Sequence, residues 1–334
     1  MLARSLVAKT LLALAVALTF AATQSVLTYA ANWKKLSPTT SPSARVYPAM
    51  AYDPVSKKIV LFGGAGSSAF LNDTWTFDGS TWTKIQTSVA PPKRSAASMA
   101  FDRPSQKLVM FGGFTGAGNL RDTWLWDGAT STWTQARMKS SPPAASGAML
   151  FPDVGSGKVM MFGGFNTRKR VPNLNVTWRW NGATWNKLHP ATSPYGRGWG
   201  VATLDPVRKN VVVTGGNGDT IRTDNTWTWA NKDWTQQFPS TQVEALDGPG
   251  SAFDVELGAV VVFGGFAHPS GQDVNETWSW TGTDWVQLSP KKAPSPREGL
   301  GMAYYPVTHQ VVMFGGENLG NHKFLGDTWA LAGR

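Results

Sequence analysis

The 334-residue sequence contains no cysteine, and only four of its residues are histidines. Without cysteine the chain can form neither disulfides nor thiolate metal sites, and it has no cysteine nucleophile. Charged residues make up only 16% of the chain, which excludes the charge-rich pattern of a coiled coil. Aromatic residues are abundant by contrast. The 17 tryptophans and 35 glycines argue for a folded core rather than a disordered chain.

The first 30 residues have the composition of an export signal. Arg4 and Lys9 precede a long apolar run, and the segment ends in a small-x-small step, Thr28-Tyr29-Ala30, that suits signal peptidase. An uncleaved anchor is the alternative, although polar residues weaken the second half as a membrane span. We expect a signal peptide over residues 1–30. The mature chain, residues 31–334, is then expected in the periplasm, at the cell envelope or in the medium, without a membrane span.

Beyond residue 30 the sequence consists of one unit repeated six times. A Gly-Gly pair follows an apolar run in each unit, and successive pairs are 49 to 52 residues apart. The pairs are Gly63-Gly64, Gly112-Gly113, Gly163-Gly164, Gly215-Gly216, Gly264-Gly265 and Gly315-Gly316. A Thr-Trp step follows each pair, and a second Trp closes five of the six units. Repetition at this period predicts a solenoid or a propeller.

Each unit predicts four strands. In the first unit they are Val46 to Tyr52, Lys58 to Phe62, Thr74 to Phe77 and Trp82 to Ile85. The sixth unit lacks the closing Trp-x-x-Leu strand, whereas Trp33 to Leu36 carries that motif just after the export signal. An N-terminal strand that completes the last sheet would close a ring and leave no free edge. The sequence therefore predicts an all-β, six-bladed propeller rather than a linear stack.

Residues 31–334 resemble the kelch-repeat family. The resemblance is carried by the Gly-Gly pairs, by the closing Trp-x-x-Leu, and by Thr-Trp steps that follow Asp73, Asp122 and Asp327. It implies a kelch-type β-propeller closed by an N-terminal strand. Fold-level analogy selects no chemistry, because kelch propellers include protein-binding platforms, actin-associated modules, copper oxidases of the galactose-oxidase type and bacterial sialic-acid epimerases. The copper site of those oxidases needs a cysteine cross-link, so we expect neither a metal nor a cofactor.

The predicted binding face carries the loops after Gly-Gly and the loops that lead into the first strands, because variable loops on a rigid scaffold usually bind ligands. Four of the six leading loops end in an arginine, at Arg45, Arg94, Arg197 and Arg297. In kelch proteins, residues resembling these arginines often line a central mouth that meets acidic ligands, and a guanidinium fork suits carboxylates. The alternative is that the arginines tie adjacent blades to carbonyl groups or to acids such as Asp73 and Asp122.

Two further pairs of residues share a register on this face. Tyr47 and Trp199 each follow an arginine by two residues, where they could stack on a sugar or a peptide side chain, or plug the channel. Asp247 and Glu298 lie one residue after the arginine position in adjacent units, so they could act as acid and base. Neutralisation of these carboxylates by Arg297 and Arg45 is the alternative.

The sequence thus favours a monomeric binding module without catalysis, which takes a protein or glycan ligand, acidic ligands included. The mouth of the module is predicted at Arg45, Tyr47, Arg94, Arg197, Trp199 and Arg297. The alternative is a carbohydrate-active enzyme resembling sialic-acid epimerases or mutarotases, with Glu298 and Asp247 as catalytic residues. Nucleic acid is not an expected partner, because nearly all tryptophans occupy repeat positions.

Overall fold

The computed structural model describes residues 31–169, 172–218, 223–268 and 270–333. The export signal predicted over residues 1–30 lies outside these residues. The described residues form an all-β structure, in which the one helical element is a 3₁₀ turn at Leu319–Asn321. No helix in this part of the chain is long and apolar enough to cross a membrane.

Six four-stranded antiparallel sheets form six blades, which are numbered in chain order from the first Gly-Gly unit. The inner strands, which line the axis, are Ala49–Asp53, Ser98–Asp102, Met149–Pro152, Val201–Asp205, Gly250–Asp254 and Gly301–Tyr305. The second strands are Lys58–Phe62, Lys107–Phe111, Val159–Phe162, Asn210–Thr214, Ala259–Phe263 and Gln310–Phe314. The third strands are Thr74–Phe77, Thr123–Asp127, Thr177–Trp180, Thr226–Ala230, Thr277–Trp280 and Thr328–Gly333. The outer strands of blades 1 to 5 are Trp82–Ile85, Thr132–Gln135, Trp185–Leu188, Asp233–Gln237 and Trp285–Leu288.

The hydrophobic core lies between neighbouring blades. The second strands are apolar along almost their whole length because a blade covers each of their faces, and Ile59 to Phe62 are fully buried. Side chains from adjacent blades fill each gap. Val60 and Phe62 of blade 1, for example, pack with Met110 and Trp126 of blade 2. Each blade is therefore stabilised mainly by its two neighbours.

The outer strand of blade 6 comes from the N-terminal end of the described chain. Ala31–Leu36 pairs antiparallel with Thr328–Gly333, so Trp33 and Trp329 belong to one sheet. Trp33 is buried and packs edge-on against Phe263 of blade 5, with ring centroids 5.0 Å apart. The inner strands contact one another in blade order, and the inner strand of blade 1 contacts that of blade 6. The blades thus form a complete ring.

A belt of indole hydrogen bonds joins the blades. The Trp near the start of each outer strand donates from Nε1 to the hydroxyl oxygen of the Thr that begins the third strand of the preceding blade, at 2.8–3.0 Å. The six pairs are Trp33–Thr277, Trp82–Thr328, Trp133–Thr74, Trp185–Thr123, Trp234–Thr177 and Trp285–Thr226. The belt explains the recurrence of both residue types, because each pair satisfies two buried polar groups and fixes one blade on the next.

A second ring of hydrogen bonds surrounds the axis, and we call it the axial ring. Its members are Tyr47, Ala96, Gly147, Trp199, Gly248 and Gly299. The backbone N–H of each member donates to the carbonyl of the equivalent residue in the preceding blade, at N–O distances of 2.5–2.9 Å. All six members have φ between 52° and 63°, a left-handed conformation that favours glycine. The axial ring narrows the channel at this end. Toward the opposite face, the inner strands enclose a largely apolar channel of about 520 Å³.

Candidate functional site

The loop face, which carries the loops after Gly-Gly, is built in layers around the axial ring. The residue before each ring member pairs with the residue after the Gly-Gly pair of the same blade. The pairs are Val46–Ala65, Ser95–Phe114, Ser146–Phe165, Gly198–Asn217, Asp247–Phe266 and Glu298–Glu317. Small, uncharged and aromatic residues therefore occupy this layer in blades 1 to 4, and carboxylates appear in blades 5 and 6. The loop face is chemically asymmetric although its backbone has near six-fold symmetry.

The four predicted arginines do not line an open mouth. Their side chains are at most 1% exposed. In three blades the guanidinium makes two hydrogen bonds to the Asp that precedes the Thr-Trp step, in the pairs Arg45–Asp73, Arg94–Asp122 and Arg297–Asp327. Each of these arginines also donates to the carbonyl of the first glycine in the Gly-Gly pair. The contacts match the alternative prediction, in which the arginines hold the loops, and a fully buried guanidinium cannot contact a ligand from solution.

The aspartates of these pairs remain ionised at neutral pH. Burial alone would raise the pKa of Asp73, but the hydrogen bonds and charge of Arg45 and the indole hydrogen bond of Trp75 outweigh it and lower the pKa. The same balance lowers the pKa of Asp122 and Asp327. In each pair, two charge-assisted hydrogen bonds join the guanidinium to the carboxylate, and each buried charge is neutralised by the other.

Arg197 departs from this pattern. The residue opposite its guanidinium is Asn225, whose side-chain oxygen accepts a hydrogen bond from Arg197 at 2.7 Å. Burial lowers the pKa of Arg197 to about 10, although the charge of Asp224 acts in the other direction. Blade 4 therefore holds a buried guanidinium without the carboxylate partner that blades 1, 2 and 6 supply.

Tyr47 and Trp199 belong to the axial ring, in blades 1 and 4, and both are half-buried. The Trp199 ring packs on Phe165 with centroids 4.9 Å apart, and it lies so close over Gly147 that a Cβ there would come within 2.8 Å. Tyr47 covers Gly248 and Gly299 in the same way. The two aromatic side chains thus cover the backbone of neighbouring blades and leave part of each ring at the surface.

Four carboxyl groups gather on the loop face of blades 5 and 6, and we call Asp247, Asp273, Glu298 and Glu317 the acidic cluster. Asp247 Oδ2 accepts hydrogen bonds from His268 Nε2 at 2.9 Å and from Asn217 Nδ2 at 3.2 Å. The Tyr47 hydroxyl hydrogen-bonds Glu298, which is only 7% exposed. Arg45 and Arg297, the predicted neutralising partners of Asp247 and Glu298, are bound to Asp73 and Asp327 instead. The structure therefore brings Tyr47, Asp247 and Glu298 together and keeps the arginines apart from them.

The acidic cluster holds protons more tightly than ordinary carboxyl groups. Burial, followed by repulsion from Asp273 and Glu317, raises the pKa of Glu298 to about 8, despite the Tyr47 hydrogen bond. Burial also raises the pKa of Asp247, although His268 acts against this shift. Glu298 is therefore mainly protonated at neutral pH, and a protonated carboxyl group can donate a hydrogen bond or a proton.

Two members of the acidic cluster, Asp273 and Glu317, were not among the residues that the sequence singled out. Glu317 follows Gly315-Gly316 directly, where the other units have Ala, Phe or Asn, so a comparison of that register would have found it. Asp273 lies in a short loop strand, Gln272–Asp273, four residues before Thr277, and its counterparts Asn119 and Asn173 pair at the same place in the loops of blades 2 and 3. A comparison of the residues at that register would have singled out Asp273 as a carboxylate of blade 5.

The comparisons with known proteins agree with this architecture. The family model described as the KLHDC2/KLHL20/DRC7 Kelch-repeats domain matches residues 23–216. The chain belongs to the kelch-repeat family. Among solved structures, one described as "Structure of YjhT" superposes with a TM-score of 0.66, covering 87% of this kelch chain and 95% of the other at 16% identity. That likeness concerns the fold. No curated protein matches the sequence.

Membership of the kelch-repeat family also indicates a general role for the loop face. Kelch-repeat domains generally bind other molecules on a rigid propeller scaffold. In this kelch propeller, the scaffold is held by the indole belt, the axial ring and the buried arginines. The partly exposed aromatic and carboxyl groups of the loop face are what the scaffold presents.

Proposed function

We propose that this kelch propeller is an exported, non-catalytic binding module that takes a glycan or protein ligand on its loop face. The observation that carries the proposal is the grouping of Tyr47, Trp199 and the acidic cluster around one end of the axis. Aromatic faces stack against the C–H surfaces of sugars, and carboxyl groups bind hydroxyls, so the grouping suits a polyhydroxylated ligand.

The charge of the loop face favours a neutral or basic ligand over an acidic one. The arginines that would have bound an acidic group are buried and paired. Among the described residues, the exposed cations Arg121, Arg168 and Lys169 lie in the loops of blades 2 and 3, whereas the carboxyl groups lie in blades 5 and 6 with Lys323 as the exposed cation of that part of the face. An acidic ligand at the axis would meet the carboxyl groups of the acidic cluster rather than a free guanidinium.

A glycan array followed by calorimetry tests the binding module. The variant Trp199→Ala should lower the affinity for a glycan found on the array by about tenfold. Stacking of a ligand on an aromatic face of this size contributes about 1–2 kcal/mol to the binding free energy. Val207→Ala is the control, since Val207 is an exposed apolar residue on the turn between inner and second strands at the opposite face. If Trp199→Ala and Tyr47→Phe both leave affinity unchanged, the ligand does not bind at the axis.

A carbohydrate-active enzyme resembling sialic-acid epimerases or mutarotases is the second candidate, and the protonation state of Glu298 favours it. A carboxyl group with a pKa of about 8 can donate a proton at neutral pH, and Asp247 beside His268 can accept one. An isomerisation assay separates the two candidates. Epimer exchange that Glu298→Gln abolishes supports the enzyme, and binding without turnover supports the module.

A further inference from the structure

A separate cleft opens between the loops of blades 5 and 6. Its volume is about 340 Å³, and we call it the blade 5–6 cleft. Phe266, Gln272, Asp273, Pro296, Asn318 and Leu319 line it. Its walls are ordered by local structure, since Gln272–Asp273 pairs with Phe266–Ala267, and Asn318 Nδ2 donates to the carbonyl of Pro296 at 2.8 Å. The cleft is therefore a built feature of two blades and does not depend on one flexible loop.

Asp273 is the charged residue of the blade 5–6 cleft, and only one of its oxygens is satisfied. Oδ2 accepts a hydrogen bond from the backbone N–H of Leu319 at 2.6 Å. Oδ1 is buried without a hydrogen-bond partner, in a residue that is only 8% exposed. An unsatisfied buried carboxylate oxygen is unfavourable, so Asp273 lacks one hydrogen-bond donor at the wall of the cleft.

The surroundings of Asp273 do not compensate its negative charge. Asp273 repels both Glu298 and Glu317 and contributes to the raised pKa of each. Among the described residues, His268 contacts Asp247, His322 lies near Glu317, and Lys323 lies on the strand that pairs with Glu317–Asn318, but none of them forms an ion pair with Asp273. In a chain with a net charge of +10, this local excess of carboxyl groups would attract a cation.

We propose that the blade 5–6 cleft binds the protonated amine of an amino sugar, with Asp273 as the ion partner and the Phe266 ring as a cation–π surface. The inference rests on the proposed function, because it assumes that the ligand lies on the loop face. Gln272 flanks Asp273 with an exposed amide group, which suits a hydroxyl of the same sugar. A metal ion is a poorer fit, since no group of three or more His, Asp or Glu among the described residues is arranged to hold one.

The test compares two oligosaccharides that differ only in the charge of the amine. Calorimetry of the purified protein should show that a glucosamine oligomer binds at least about tenfold more tightly than its fully N-acetylated counterpart, since the ammonium is then paired in a partly dry cleft. Asp273→Asn should abolish this preference while keeping an acceptor for the Leu319 N–H. Glu256→Gln should retain it, because Glu256 lies on the opposite face with a side chain that is 45% exposed.

A second variant tests the inference without changing Asp273, in case Asp273→Asn disturbs the fold. Phe266→Leu preserves an apolar side chain but removes the aromatic face, and it should weaken the glucosamine oligomer about threefold without affecting the N-acetylated one. Thermal melting of each variant checks that the propeller is intact. Equal binding of the two oligomers, or an amine preference that survives both substitutions, overturns the inference.

The remaining outcomes separate this inference from the proposed function. A lysine peptide that binds more tightly than the glucosamine oligomer and depends on Asp273 would overturn the assignment to a sugar. Calcium that displaces the oligomer through Asp273 would overturn it in favour of a metal ion. Binding of the N-acetylated oligomer that depends on Trp199 but not on Asp273 would overturn the amine site and leave the proposed function intact.

Discussion

At the scale of single residues, the buried arginines show that a position in a repeat does not reveal whether a side chain is exposed. The sequence predicts correctly that Arg45, Arg94, Arg197 and Arg297 share one place in the repeat, but position does not determine exposure. Their partners lie 28 or 30 residues further along the chain, and only the folded blade brings the two side chains together. The sequence could name Asp73 and Asp122 as partners, but it could not decide between a ligand site and a structural pair.

Blade 4 offers a direct test of the buried pairs. Asn225→Asp should raise the free energy of unfolding by about 1–2 kcal/mol, because Arg197 would gain the ionised partner found in blades 1, 2 and 6. Asp73→Asn makes the reverse change in blade 1 and should cost about 3 kcal/mol, since it leaves Arg45 buried without a counter-charge. Thermal and urea unfolding at pH 7 measure both. A destabilised Asn225→Asp protein would contradict this account of the pairs.

Glu298 should make stability depend on pH. A folded Glu298 keeps its proton up to about pH 8, whereas an unfolded glutamate loses it near 4.3, so stability from this group is present at low pH and is lost as pH rises between these values. Glu298→Gln should therefore be more stable than the natural protein by about 2–4 kcal/mol at pH 8, with little difference at pH 4. Asp273→Asn removes one of the charges that repel ionised Glu298, so the unfolding free energy of this variant should fall less steeply as pH rises. Unfolding curves across this pH range decide the matter, and parallel profiles for all three proteins would refute the assignment.

At the scale of elements, the sequence predicted most strands because each has a periodic reason to form. The strands Lys58–Phe62, Thr74–Phe77 and Trp82–Ile85 begin and end where the pattern places them. The first strand is shorter than predicted and begins at Ala49. Tyr47 takes a left-handed backbone to enter the axial ring, and a tyrosine gives no sequence signal for that conformation. The short loop strands beside the blade 5–6 cleft were missed because each is only two residues long and the loops that carry them differ in length from blade to blade.

The N-terminal strand should contribute as much as any other outer strand. Trp33→Ala removes a buried indole that packs on Phe263 and donates to Thr277, and it should cost about 3–5 kcal/mol. Trp133→Ala is the matched control, because Trp133 makes the equivalent contacts with Phe62 and Thr74 inside the chain. The two losses in urea unfolding should agree within about 1 kcal/mol. A much smaller loss for Trp33→Ala would mean that the strand is only loosely attached.

At the scale of the whole molecule, the indole belt and the axial ring make the blades interdependent. Each blade donates to the preceding one in both rings, and blade 1 donates to blade 6, so neither ring has an end. The sequence predicted a closed circle from the displaced Trp-x-x-Leu motif. It could not predict the axial ring, because three of the six members are Tyr, Ala and Trp, whose side chains carry no information about a left-handed backbone.

Two small substitutions in the axial ring should act in opposite directions. Gly147→Ala places a Cβ within 2.8 Å of Trp199 at a φ of +58°, so it should destabilise the protein by about 1–3 kcal/mol. Ala96→Gly relieves the same backbone conformation and should stabilise by about 1 kcal/mol. Differential scanning calorimetry of both variants provides the comparison. Effects of the same sign would show that the ring conformation is not what limits these positions.

The axial ring also determines which groups near the axis can select a ligand. Every amide hydrogen there is already occupied by the neighbouring blade, so an arriving molecule finds no vacant peptide donor at the centre of the disc. Selection between ligands must therefore come from the side chains that surround the axial ring. Evolution or an engineer could thus rewrite the preference of this protein at a few surface positions while the architecture beneath them stays unaltered.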